Sequence, residues 1–202
     1  MDICSIVYLV SRVNKKIAYF GEPGSFSHQA GLEFARLHDL PTDTLTPYAS
    51  IKATLEALSD SEDVAYAVVP HFNSTAGKVI DFHSSFNDDD FKVEREIILP
   101  IHHCLLATAP LALKDIALVT SHTQALQQCR KYLATNLPQA ELMTFASTSG
   151  AAKQLTSGTL PEGSAAIGSK KAAAIYGLKI VAENIEDEPD NKTHFYVVSK
   201  KV

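Results

Sequence analysis

Residues 64–77 read VAYAVVPHFNSTAG, and the way they divide decides the fold. The run 64–69 is short and unbroken in its apolar character, the look of a strand buried on both faces. Pro70 to Gly77 is polar and rich in helix-capping residues, and a helix over about 77–86 follows. Working outward, the same strand-to-helix corner recurs. A strand at 17–20 passes through Gly21-Glu22-Pro23-Gly24-Ser25-Phe26-Ser27-His28 into a helix over 27–37, and a strand at 116–120 passes through Ser121-His122-Thr123 into a helix over 124–133. Further helices are expected at 51–58, 149–156 and 170–176, and further strands at 93–99, 103–108, 142–145, 165–167 and 193–199. Strands alternating with helices indicate an α/β fold. In such sheets ligands gather beyond the carboxyl ends of the strands, which makes the three corners the places to look for a site.

Composition limits the function classes. The 202 residues carry a net charge of −5, which argues against non-specific nucleic-acid binding. Cys4, Cys104 and Cys129 are odd in number and far apart, as free thiols in a reducing, cytoplasmic compartment would be. The apolar stretch 1–10 contains Asp2, lacks a basic flank and is too short to span a bilayer, so residues 1–15 are expected to be an N-terminal extension and no membrane association is expected. GEPGSFS lacks the dinucleotide-binding spacing, and there is no Walker lysine pattern. His102-His103-Cys104 invites a metal reading, but neighbours on a strand point apart, so neither metal nor cofactor is expected. Cys129, inside a helix, reads as a small core residue.

Taken together, GEPGSFSHQA (21–30), AVVPHFNSTAG (67–77), HHCLLA (102–107), TSHTQALQQC (120–129), STS (147–149), AAIGS (165–169) and NKTHFYVV (191–198) resemble the catalytic domain of prephenate dehydratases over nearly the whole chain. The resemblance implies a two-lobed α/β fold like a type II periplasmic binding protein, with prephenate in a cleft between the lobes. The lobes would comprise 1–80 with 185–202, and 81–184. It also implies a homodimer and, because the chain stops at Val202, no regulatory ACT domain and no feedback by phenylalanine. Carried over by position, the substrate residues are Asn73, Ser74, Ser121, Gln128 and Phe195, and Thr193 is catalytic; Ser25, at the helix start of the first corner, is a further candidate for holding the anionic substrate.

Two positions depart from that family's pattern. Thr-Arg-Phe is here Thr193-His194-Phe195, and Pro-Ile-Glu-Asn is Pro70-His71-Phe72-Asn73. Arginine is a permanent, bidentate carboxylate clamp, whereas histidine titrates near neutrality. The altered corner resembles a divergent branch, the non-aromatising prephenate decarboxylases of antibiotic building-block pathways. On that reading the protein removes CO2 while keeping the ring hydroxyl, with His71 or His194 delivering a proton to the ring. The retained Thr193 favours the alternative, a dehydratase making phenylpyruvate. A second alternative is an inactive small-anion binding protein. Strand register decides whether Thr193 and His194 share a face.

Overall fold

The computed structural model describes residues 15–201, so Cys4 and nearly all of the expected N-terminal extension lie outside the described residues. Two compact units form. One runs up to Gly21, takes in Ser27–Leu99 and resumes at Lys192; the other is Glu22–Phe26 with Pro100–Asn191. Residues 81–99, expected in the second lobe, therefore belong with the first. The reason is strand pairing, since β5 (Phe91–Pro100) lies beside β11 (Lys192–Lys200) at the end of the first sheet. Residues 185–191 stay with the second unit through backbone bonds from Ile185 to His103 (3.0 Å) and from Ile101 to Asn191 (2.8 Å).

The first sheet contains β1 (Lys16–Phe20), β2 (Leu45–Tyr48) and β3 (Val64–Asn73), ordered β2-β1-β3-β11-β5, with the two-residue β4 (Gly77–Lys78) paired to β3. β1 is parallel to β2 and β3, and β11 is antiparallel to β3. Alternation along the strands gives each face its own helices. Ala18, Ala67, Val69 and Val198 pack under α2 (Ile51–Asp60) and α3 (Ile80–Ser85), against Leu55, Leu58 and Phe82. On the opposite face α1 (Phe26–Leu37) sets Phe34 against Tyr66 and His28 against Tyr19, with ring centroids 4.9 Å apart in both pairs.

β3 continues four residues past Val69, through Pro70, where the sequence suggests a turn. A proline inside a central strand normally costs a ladder bond. Here β1 pairs with β3 only as far as Val68 and β4 joins at Phe72, so the missing N–H falls in the gap between two neighbours.

The second sheet runs β10-β6-β9-β7-β8, formed by β6 (Cys104–Ala107), β7 (Leu118–Ser121), β8 (Glu141–Thr144), β9 (Ser164–Gly168) and β10 (Lys179–Glu183). Leu105, Val119, Ala165 and Ile167 face one core with Leu126 and Leu133, while Cys104, Leu106 and Ala166 face the other, under α6 (Thr148–Leu155) and α7 (Lys170–Tyr176). The single helix expected over 124–133 is two, α4 (Thr123–Gln128) and α5 (Arg130–Asn136), broken at Cys129. Asp187 causes the break. Its backbone N–H takes the Gln128 carbonyl at 2.6 Å, and its carboxylate accepts from the Lys131 N–H at 3.0 Å, capping α5 from a distant segment.

The first corner is held within the second unit. The Ser169 hydroxyl donates to the Gly24 carbonyl at 2.7 Å, and the Tyr176 hydroxyl donates to that of Pro23 at 2.9 Å. Gly24 has φ +88°, and a Cβ placed there would lie 2.6 Å from Ala172 Cα. Gly24→Ala thus combines left-handed strain with a backbone clash and should cost roughly 2–5 kcal/mol, read as a lower midpoint in chemical denaturation.

Candidate active site

The end of β3 and the start of β11 are joined by side chains. Asn73, 4% exposed, donates from Nδ2 to Thr193 Oγ1 at 2.8 Å and to the Lys192 carbonyl at 3.1 Å. Its Oδ1 accepts from the N–H groups of Thr75 and Ala76 and from the Thr75 hydroxyl at 2.7–3.1 Å, closing the turn. Ser74 adds two more links, its N–H donating to the Lys192 carbonyl and its hydroxyl accepting from the Lys192 N–H, both at 2.8 Å. Asn73 and Ser74 therefore hold the start of the last strand, and with it Thr193.

Thr193 and His194 do not share a face. Tyr196 and Val198 pack on the α2/α3 side, so the regular pleat of β11 places His194 there and puts Thr193 and the buried Phe195 on the α1 side. On β3 the register jumps, with His194 opposite Phe72 but Phe195 opposite Pro70. His71 is the extra residue, a β-bulge that turns its side chain to the same face as that of Phe72. Its ring stacks on Tyr196 at 3.6 Å and 14°.

On that α2/α3 face the two histidines meet a carboxylate that nothing in the sequence marks. Glu96 of β5 has its Oε1 2.8 Å from His71 Nε2 and 3.1 Å from His194 Nδ1. Burial lowers the pKa of His71 in spite of the carboxylate beside it. Burial also raises that of the Glu96 carboxyl, but the hydrogen bonds from His71 and His194 outweigh it and leave the group below the ordinary range. Only the placement of β5 next to β11 brings Glu96 here, and short-range pattern does not encode that placement.

The second unit holds Ser25, Ser121 and Gln128. Ser25 lies in the first corner, its N–H donating to the Glu22 carbonyl at 3.1 Å. Ser121 is fully buried and its hydroxyl donates to the Ile167 carbonyl at 3.1 Å. Gln128 Oε1 accepts from His103 Nε2 at 2.9 Å. His102 and His103 do point apart, since His102 Nδ1 meets Glu186 at 2.7 Å. Cys104 and Cys129 are buried free thiols, and burial pushes the Cys129 thiol well above its ordinary value, away from nucleophilic use.

A family model described as Prephenate dehydratase matches residues 17–202. The chain belongs to the prephenate dehydratase family. It is 38% identical over 189 residues to prephenate dehydratase of Lactococcus lactis subsp. cremoris, covering 92% of this chain and 64% of that one. It is 36% identical over 186 residues to the bifunctional chorismate mutase/prephenate dehydratase of Pseudomonas aeruginosa, covering 92% and 49%. The crystal structure of prephenate dehydratase from Arthrobacter aurescens in complex with L-Phe superposes with a TM-score of 0.82 at 30% identity, over 93% of this chain and 61% of that one. The chain thus spans about half to two-thirds of the length of these relatives. The α/β architecture of two sheets is that of prephenate dehydratases.

Family membership gives the two departures a common meaning. The family pattern has glutamate at position 72 and arginine at 194, and the register makes these two positions directly opposite on adjacent strands. Opposed residues of opposite charge form a cross-strand pair. In this chain the two opposed positions hold Phe72 and His194 in edge-to-face contact, centroids 5.4 Å apart at 82°. The exchange falls on the face away from Thr193.

Two outcomes follow. Asn73→Asp removes the donor to Thr193 while keeping the acceptor of the turn, and should lower stability by about 1–3 kcal/mol in chemical denaturation. In the second unit, burial lowers the pKa of His103, and His102 adds to this, while the Gln128 bond and the Glu186 charge oppose it. Below about pH 6.5 the unfolded chain takes up a proton that folded His103 resists, so this contribution is complete above that pH and is lost as pH falls. Melting temperatures taken from pH 7.5 to 5.0 should decline in the natural protein and decline less in His103→Gln.

Proposed function

We propose that this protein catalyses the decarboxylative dehydration of prephenate to phenylpyruvate, a hydro-lyase step of phenylalanine formation. The observation that carries the reading is the Thr193 hydroxyl, fixed at 2.8 Å by Asn73. Because Asn73 donates, the hydroxyl's own hydrogen is left to point at a substrate oxygen. In the reaction the bond to the ring carboxylate breaks, its electron pair enters the ring, and the bond to the ring hydroxyl breaks, the departing oxygen taking up one proton that comes in the end from solvent. The products are CO2, water and an aromatic ring, with no net oxidation, so the chemistry calls for no redox cofactor. Thr193 would assist by donating to the departing hydroxyl, the group that leaves least readily on its own.

The second reading, non-aromatising decarboxylation in a specialised pathway, draws on His71 and His194 as proton donors and on the absence of the glutamate and arginine. Geometry supports it less well. Both rings lie on the face opposite Thr193, and the two lost residues are opposed positions on that same face. The assembly proposed with the first reading is a cytoplasmic homodimer, and no helix among the described residues is long and apolar enough to cross a membrane.

Proton NMR of prephenate incubated with the protein at neutral pH, beside a protein-free control, separates the readings. Phenylpyruvate signals growing with enzyme concentration are expected; enzyme-dependent CO2 release with surviving ring olefinic signals would install the decarboxylase reading instead. Thr193→Val should lower kcat at least a hundredfold with KM little changed, because the lost interaction is one made in the transition state.

A further inference from the structure

His71, Glu96 and His194 come from three neighbouring strands, and their ligand atoms all lie within 4.8 Å of one another. An ionised carboxylate only accepts, so the two ring nitrogens at 2.8 and 3.1 Å each direct a hydrogen at the same oxygen. Two protons aimed at one point are what a divalent ion replaces when it binds two neutral imidazoles and a carboxylate. Ligand bonds to zinc are about 2.0–2.2 Å, which puts ligand atoms on a tetrahedral ion about 3.3 Å apart. Both nitrogen–oxygen separations need to open by only a few tenths of an ångström to reach that.

The surroundings already restrain the ligands. Tyr196 lies flat against the His71 ring at 3.6 Å, and Phe72 meets the His194 ring edge-on at 5.4 Å. The bulge that turns His71 onto this face is part of the backbone and needs no ion to form. Side-chain exposures of 12% for His71, 26% for His194 and 40% for Glu96 leave an approach from solvent.

We propose that His71, Glu96 and His194 bind a first-row divalent ion of the zinc class, tying β3, β11 and β5 together and leaving at least one coordination position open. Two imidazoles and one carboxylate suit zinc and its transition-metal neighbours, whereas calcium and magnesium take all-oxygen shells. His102-His103-Cys104, whose spacing underlies the expectation of a metal-free protein, is a separate place from this trio. The proposal does not rest on the dehydratase reading.

The test is calorimetric titration of the chelator-stripped full chain with zinc chloride, paired with the visible absorption of added cobalt(II). Saturable binding of one zinc per chain, cobalt bands of a four- or five-coordinate site and a melting temperature raised by several degrees are expected. His71→Ile and His194→Arg install residues of the family pattern and so should keep the fold, which circular dichroism checks. Glu96→Gln provides a third variant should either fail to fold. Each should weaken zinc binding at least tenfold and abolish the cobalt bands. Absence of saturable zinc binding to the natural protein, or zinc binding unchanged in the folded variants, would overturn the proposal.

Discussion

The hydrogen bond from Asn73 to Thr193 is the constraint on which the rest of the first unit turns. It joins the end of one strand to the start of another about 120 residues later. The same asparagine closes the turn after β3, so a single buried amide fixes both the loop and the last strand. Without it, the hydroxyl of Thr193 would be one rotamer among several. A buried network of this type is favourable only when each member is satisfied, and here the donors and acceptors of Asn73 are engaged on both sides.

Two residues before Asn73, the bulge at His71 changes what the sheet presents. Ordinary alternation would have sent His71 and Phe72 to opposite faces; the extra residue sends both to the α2/α3 side, where His194 and Glu96 already are. The positions of the family pattern's Glu and Arg are opposed on this face, where this chain has Phe72 and His194 in contact. Two substitutions that look independent along the chain are neighbours in space. The loss of an arginine therefore does not by itself imply the loss of a substrate clamp.

Much of the architecture was legible in short-range pattern. The helix at Lys170–Tyr176 appears with the expected bounds because Ser169 caps it and Gly177, at φ +67°, ends it. Other elements depended on partners that local pattern does not show. β2 and β10 are short edge strands with little alternation to mark them. Pro70 hid four residues of β3, and Asp187, far along the chain, broke a continuous helical pattern at Cys129. At the site, Thr193 and Asn73 were visible by resemblance, as were both histidines. Glu96 was not, because an exposed acid in a strand is unremarkable until the strand's neighbour is known.

The position of β11 also governs how the molecule can be made. Its residues are the last of the described chain, yet the strand lies inside the first sheet, between β3 and β5. During synthesis both of those strands emerge long before the one that joins them, and the second unit's residues come in between. Until Lys192–Lys200 arrives, β3 and β5 each present an unpaired edge, the kind of surface that seeks strands from other chains. Long-range closure of this sort slows folding. The second unit, largely continuous from Pro100 to Asn191, is free to form first, and completion of the first sheet becomes the late event that holds Thr193 in place.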